Sequence, residues 1–250
     1  MIVGRAVHCP GSATFDEIDA AVSAISKRTV CFNAQIVPQF LSPLLLPLFV
    51  PDDAVIYNLE NVPGQVDPGW FAGREVWDFS ARSVRYARER GHLWTHVPIG
   101  YHPSMRRFQR KPRGERDIDV AFAGTMNERR QRVIDALSER GLRVVVIPSG
   151  MPWTYGSDRD SIYARTRLAL NMLQFEEGLF PSLRAAHLIA NGVPVLSERC
   201  HEPWDFVPLC AYEEIVPLAV KMLTGGDDGL DELAGLSDER FRARPLIVPG

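Results

Sequence analysis

Phe175-Glu176-Glu177-Gly178-Leu179-Phe180-Pro181-Ser182-Leu183-Arg184-Ala185-Ala186 opens the stretch that decides the fold, and Gly192-Val193-Pro194-Val195-Leu196-Ser197-Glu198 closes it. An acidic, glycine-containing loop runs into Pro181 and Ser182, residues suited to a helix start. Leu183, Ala185, Ala186, Leu188, Ile189 and Ala190 are small or apolar, and Asn191-Gly192 is a helix stop signal. Val193 to Leu196 reads as a short buried strand. The first turn of such a helix leaves backbone N–H groups unpaired, and these can hold a phosphate. An ordinary crossover helix carries the same pattern, so the flanking sequence has to decide.

Working outward, Ile118 to Ala123 and Leu168 to Met172 read as strands that precede this stretch, with Val144 to Ile147 between them. A helix opens at Gly124-Thr125-Met126-Asn127-Glu128-Arg129-Arg130, runs to Arg140 and stops at Gly141. Further helices are expected over Ser161 to Arg165, Tyr212 to Leu223 and near Leu230 to Arg242. The first half repeats the alternation. Strands are expected over Met1 to Cys9, Thr29 to Phe32, Ala54 to Tyr57, Glu75 to Phe79 and Thr95 to Tyr101, and helices over Phe15 to Ile25 and Ser80 to Arg90. Ile36 to Phe49 holds too many prolines for one regular helix. Met105 to Asp117 is polar, basic and broken by Pro112 and Gly114, which reads as an interdomain linker. Alternating strands and helices that restart after a linker imply α/β architecture: two Rossmann-like domains, 1–110 and 111–250, with parallel sheets facing a cleft.

Composition narrows the class. The apolar and charged fractions are those of a soluble protein, and a net charge of -3 gives no sign of a nucleic-acid or membrane partner. Ile36 to Val50 is too short and proline-rich to span a bilayer, and Met1 leads straight into a strand-like run, so a cytoplasmic location is expected. Cys9, Cys31, Cys200 and Cys210 lack metal-like spacing and are expected as free thiols. The chain has no Gly-x-Gly-x-x-Gly, no Walker A lysine loop and no Gly-x-Ser-x-Gly elbow. These absences weigh against a dinucleotide oxidoreductase, a P-loop NTPase and a common serine hydrolase.

Polar side chains just past the carboxyl ends of parallel strands lie where open sheets bind ligands. Asn58, Glu60 and Asn61 follow one such strand, and Asp78 closes another. Glu60 and Asp78 are candidate general bases for an acceptor hydroxyl, and each also suits a turn or cap. His8 and His102 follow strands and are weaker candidates. Trp153 and Tyr155, in a Gly- and Pro-rich loop, suit a ligand-facing wall. Arg129 or Arg130 offers a fork-shaped positive charge, and both also fit an exposed helix face.

Taken in order, the strand and Gly-Thr loop at Val120 to Thr125, the Asn127-Arg129-Arg130 helix start, the strand ending at Asn171 and the run from Glu176 to Glu198 resemble the donor-binding domain of GT-B fold glycosyltransferases of the family 1 and 4 kind, with a shortened first domain. The resemblance implies a nucleotide-diphosphate sugar as co-substrate, no further cofactor and no metal, an acceptor of open identity held by the first domain, and donor contacts from Gly124, Thr125, Arg129, Arg130, Asn171, Glu176, Phe180, Pro181, Ser182 and Leu183. Retaining members carry a Glu-x7-Glu signature. Glu176 falls at its first position and Arg184 at its second, a departure that puts the ribose contact in question. Arg184 is expected to pair with Glu176 or to reach the nucleotide. The alternative is a non-catalytic binding or partner protein of the same fold.

Overall fold

Val55-Ile56-Tyr57-Asn58 is enclosed along its whole length, as a central strand of a parallel sheet must be. In the computed structural model, residues 6–8, 22, 26, 28–32, 34, 44, 46–62, 64–148 and 156–249 are described. The helix expected over Phe15 to Ile25, most of Ile36 to Phe49, and Trp153 and Tyr155 lie outside them. The chain divides into two units, Met1–His102 with Leu246–Gly250, and Pro103–Pro245.

The first unit is a five-stranded parallel sheet with its strands in chain order: β1 (Ala6–His8), β2 (Val30–Phe32), β3 (Val55–Asn58), β4 (Val76–Asp78) and β5 (Thr95–His96). The register sets Val30 beside Val55, Ile56 beside Val76 and Asn58 beside Asp78. β5 ends at His96, short of the strand expected to Tyr101, since Pro98 cannot donate to a ladder. Helix α1 (Ala81–Arg88) starts at Ser80, whose hydroxyl accepts the Ser83 N–H at 3.1 Å, and it buries Val84 and Ala87. These join Ile56, Val76, Leu46, Phe71 and Trp94 in one core.

The second unit is also wholly parallel, in the order β10-β9-β8-β6-β7: β6 (Ile118–Ala123), β7 (Val144–Ile147), β8 (Thr166–Asn171), β9 (Val195–Glu198) and a short β10 (Leu209–Cys210) that the sequence reading missed. The chain starts in the sheet's interior, steps out to β7, then returns to the other side of β6. The β6–β8 boundary is therefore the topological switch point, where doubly wound sheets hold their ligands. Its helices are α2 (Glu128–Ser138), α3 (Gly156–Ala164), α4 (Ser182–Ala190), α5 (Ile215–Thr224) and α6 (Asp227–Arg242). α2 is capped by Asn127, whose Oδ1 accepts the Arg130 N–H at 3.0 Å, a contact worth about 1 kcal/mol. It buries Val133, Ile134 and Leu137 on one face, each contributing about 1.5–3 kcal/mol of apolar burial.

The expected linker is not free-running. Residues 103–110, which the sequence reading placed in the first domain, belong to the second unit. Asn191, at the end of α4, uses its whole amide to hold them. Its Oδ1 accepts the Arg107 and Phe108 N–H groups at 2.7 and 3.0 Å. Its Nδ2 donates to the Met105 and His187 carbonyls at 2.9 and 2.7 Å. Further on, Arg110, Arg113 and Arg116 all bond to Asp231 of α6. A polar, basic composition here marks a strap paired to acids.

Candidate functional site

β6 and β8 run side by side, with Phe122 beside Leu170, so Gly124 and Asn171 emerge together at the carboxyl edge of the switch point. Gly124 has φ +149°, a conformation side-chain-bearing residues rarely adopt. A Cβ here would meet Arg184 Nη2 at 3.2 Å, Phe122 Cζ at 3.2 Å and Arg130 Nη1 at 3.5 Å. The missing side chain thus leaves room for two guanidinium groups.

Arg130 is 4% exposed. Its Nε donates to the Leu173 carbonyl at 3.1 Å, its Nη2 to Met172 at 2.7 Å and its Nη1 to Thr125 at 2.5 Å. Arg184 is half-buried, and its Nη1 donates to Asn171 Oδ1 at 3.1 Å. Both lie against the Phe122 ring, at 5.0 and 5.5 Å from its centre. Neither has a carboxylate in ion-pair range among the described residues. Burial, then the charge of Arg184, pulls the Arg130 guanidinium down to about 10. Burial likewise lowers Arg184, against a smaller opposing effect of Tyr163. Two like charges are held close together in a poorly solvated place, an arrangement that an anion between them would relieve.

Arg129 is engaged elsewhere. Both arms of its fork hold Glu198 at the end of β9, Nη1 at 2.8 Å from Oε2 and Nη2 on Oε1. Its guanidinium also stacks 3.9 Å from the centre of the Tyr212 ring, while the Tyr212 hydroxyl donates to the Arg129 carbonyl at 2.6 Å. The hydrogen bonds to Glu198 raise its pKa despite burial. Glu198 Oε2 also accepts the Leu173 N–H at 2.9 Å. Arg129 is therefore a support for the loop after β8 rather than an open fork. Asn127 completes that support by donating to the Gln174 carbonyl at 2.7 Å. The sequence reading missed Glu198 and Tyr212, and a carboxylate ending a buried strand was the one signal available for Glu198.

The remaining donor-site candidates divide. Asn171 is fully buried and orients Arg184. Thr125 is exposed and lends its carbonyl to Arg130. Glu176 is exposed, and its charge is felt at Arg129. The expected Glu176–Arg184 pair does not form, because Arg184 turns to Asn171 instead. Phe180 is 1% exposed and packs on Trp204 at 5.2 Å, so it is core. Pro181 precedes α4, which has no side-chain cap. Ser182 and the half-buried Leu183 begin that helix. The Ser182 N–H is taken by the Phe180 carbonyl at 2.6 Å, whereas its buried hydroxyl has no hydrogen-bond partner among the described residues.

In the first unit, Asp78 is fully buried. Its Oδ2 accepts from Asn58 Nδ2 at 2.7 Å and its Oδ1 from the Ser80 N–H at 2.8 Å. That geometry fixes the ends of β3 and β4 and presents no open carboxylate, which corrects the reading of Asp78 as a rival base. Glu60 is half-buried just beyond β3, and burial raises its carboxyl above the ordinary 4.5. His8 ends β1 and His102 ends the first stretch of the first unit.

The sequence also holds two Asp-x-Asp triples, Asp117 to Asp119 and Asp158 to Asp160, a spacing that can serve a metal. Asp117 pairs with Arg143 and Arg165, Asp119 with Arg167, and Asp160 with His187 and Arg159. No group of three or more potential metal ligands occurs among the described residues. No helix among them is long and apolar enough to cross a membrane.

No family model matches the chain. It is similar to two uncharacterized proteins of Acanthamoeba polyphaga mimivirus. One is 25% identical over 120 residues, 45% of this chain and 13% of that protein. The other is 24% identical over 148 residues, 55% of this chain and 48% of that protein. The chain thus spans less than half the length of these relatives. Among solved structures, accessory secretory protein 1,2 and 3 of Streptococcus pneumoniae is similar over 90% of this chain and 52% of that one, at 11% identity and a TM-score of 0.42. The glycosyltransferase AviGT4 of avilamycin A biosynthesis is similar over 80% and 78%, at 14% identity and a TM-score of 0.43. The glycotransferase of kitacinnamycin is similar over 92% and 75%, at 8% identity and a TM-score of 0.38. No residue assignment rests on these distant likenesses.

Proposed function

We propose that the chain is a glycosyltransferase whose second unit holds the diphosphate of a nucleotide sugar at the carboxyl ends of β6 and β8. One observation carries this reading: Arg130 and Arg184 converge on Gly124 with no carboxylate in ion-pair range among the described residues, the charge of Glu198 offsetting Arg130 only in part. A diphosphate supplies the missing negative charge, and planar guanidinium forks suit its oxygens. The start of α4, which has no side-chain cap, and the Ser182 hydroxyl, which has no partner among the described residues, are further donors proposed for the anion. Glu176, exposed on the loop before α4, is the acceptor of hydrogen bonds from donor-sugar hydroxyls. In an inverting transfer the acceptor hydroxyl loses its proton as its oxygen bonds to the anomeric carbon, and the carbon–oxygen bond to the diphosphate breaks with its electron pair leaving on phosphate; Glu60 of the first unit is the base proposed for that proton.

A second reading, a binding protein without turnover, is favoured by Arg184 in place of the second signature carboxylate and by the full engagement of Arg129 with Glu198. A thermal-shift screen with UDP, GDP, TDP and CDP tests both. The proposed enzyme gains melting temperature with at least one of them and then hydrolyses or transfers the matching sugar. If no diphosphate stabilises the chain at millimolar concentration, the donor site is refuted. Stabilisation without turnover across acceptors selects the binding protein.

A further inference from the structure

Arg184, His187 and Asn191, the last at the helix end, are spaced three and four residues apart, which sets them on one side of α4. Arg184 meets Asn171 and the Phe122 ring at the sheet edge. His187, one turn on, is 2% exposed, and its Nε2 lies 2.8 Å from Asp160 Oδ1 of α3. Burial works to raise Asp160, but the His187 bond and the charges of His187 and Arg159 hold it below 3.8, so it is a carboxylate and the Nε2–H donates to it. Two rings pack on the imidazole: Phe108 of the strap at 5.6 Å between centres, and Tyr163 of α3 at 5.9 Å. Tyr163 also stands near enough to Arg184 for its charge to be felt there. Asn191 completes the row by holding the backbone of Met105, Arg107 and Phe108. One side of α4 thus carries a phosphate-site arginine at its first turn and the strap at its last.

We infer that Phe108 and His187 are positioning residues for Arg184: the strap, packed on His187 and tied to Asn191, fixes the helix that presents the guanidinium to the phosphates. The inference rests on the phosphate-site reading above and extends it to a stretch far from Arg184 in the chain. A guanidinium fork binds oxygens by direction, so its affinity depends on how firmly its backbone is held. The start of α4 has no side-chain cap to hold it, and the helix is tied at His187 and Asn191 instead. The part played by Phe108 is indirect, through the His187 ring, and that of His187 runs through α4 and Tyr163. Reciprocity follows: if a loosened strap binds the anion less well, the bound anion steadies the strap by the same factor.

The test is hydrogen exchange on the full chain with and without saturating inorganic pyrophosphate, joined to titration calorimetry. In the wild type, pyrophosphate is expected to slow exchange of the Arg107 and Phe108 amides, both bonded to Asn191 Oδ1, by about fivefold or more. The Ser83 amide of the first unit, bonded to Ser80 Oγ, is the control and is expected to stay unchanged. Phe108→Ala is expected to weaken pyrophosphate by about fivefold or more, and Phe108→Tyr, which keeps a ring on His187, by less than about twofold. Added to Arg184→Gln, Phe108→Ala is expected to cost no more than about twofold beyond Arg184→Gln alone, since the residue it positions is gone. Pyrophosphate that binds without slowing the two strap amides overturns the inference and leaves the phosphate site standing. So does an equal loss from Phe108→Ala in both backgrounds, which marks a general loosening of the fold. If pyrophosphate does not bind the wild type, the phosphate site falls and the inference with it. The wild-type exchange measurement decides even where a variant does not fold.

Discussion

Arg129 and Glu198, sixty-nine residues apart in the chain, meet as a two-armed ion pair beneath the loop that follows β8. Glu198 is 4% exposed in its side chain and Arg129 19%. Removing Arg129 leaves a buried, unpaired carboxylate. Arg129→Ala is therefore expected to cost about 3–5 kcal/mol in urea unfolding. The double variant Arg129→Met/Glu198→Leu is expected to lose less than that single variant. Equal losses for Arg129→Ala and the double variant would show that packing, rather than the stranded charge, sets the cost.

Glu176 is exposed and makes no hydrogen bond or ion pair among the described residues, so it separates function from folding. Glu176→Ala is expected to leave unfolding within about 0.5 kcal/mol of wild type. Turnover of a nucleotide sugar should fall by about 100-fold, as when a transition-state hydrogen-bonding group is lost. An unchanged kcat would remove Glu176 from the site.

Burial raises the Glu60 carboxyl above 4.5, and a base works only when ionised. The acid limb of the kcat/KM profile is then expected above pH 4.5, with Glu60→Gln abolishing turnover. Stability supplies a second readout. A carboxyl raised by folding favours the fold when protonated, and that contribution is lost as pH rises through the folded value. Glu60→Gln is thus expected to be no less stable than wild type at pH 7. An acid limb at or below the ordinary carboxylate value would contradict the assignment.

Asp160 and Asp231 behave in the opposite sense. Burial works to raise both. The His187 hydrogen bond and the charges of His187 and Arg159 hold Asp160 below 3.8, and hydrogen bonds from Arg113 and Arg116 with the charge of Arg110 do the same for Asp231. Depressed carboxyls contribute stability that is full above the ordinary value and lost as pH falls through the folded one. The urea midpoint is expected to drop below pH 4, and the gap between wild type and Asp231→Asn should narrow there relative to pH 6. A gap independent of pH would assign the variant's effect to lost packing.

Asn191 offers the sharpest stability test outside the site, since both polar atoms of its amide are used twice. Asn191→Ala strands two buried carbonyls and two N–H groups. The expected loss is about 2–4 kcal/mol, with hydrogen exchange at Arg107 and Phe108 speeding up before global unfolding. Unchanged protection at those two amides would show that Asp231 alone holds the strap.

The alternation of strand and helix was legible because Val55-Ile56-Tyr57 and Leu168-Ala169-Leu170 are unbroken apolar runs of strand length, and because Ser80, Asn127 and Gly192 punctuate the helices they flank. The placement of Gly124 and Asn171 side by side did not follow from that alternation, which leaves strand order open. Nor did the partners of the arginines. Whether a guanidinium meets a carboxylate, a carbonyl or open space depends on residues far away in the chain, as Glu198 is from Arg129. Local spacing suggested that Arg184 would turn to Glu176, eight residues before it, but the register of β6 and β8 brings Asn171 within its reach instead. Phe180 shows the same limit: its place in the signature loop suggested a donor contact, and the aromatic cluster of Trp204, Phe206 and Phe241 claims it.

Leu246 donates its N–H to the Tyr101 carbonyl at 2.9 Å, so the chain leaves the first unit after His102 and returns to it at Leu246. In topological terms the second unit is an insertion, one continuous loop of polypeptide threaded between two anchor points. A single protease nick at either crossing would leave the halves covalently joined. A gene fragment encoding 103–245 would instead carry the entire arginine site as one continuous piece.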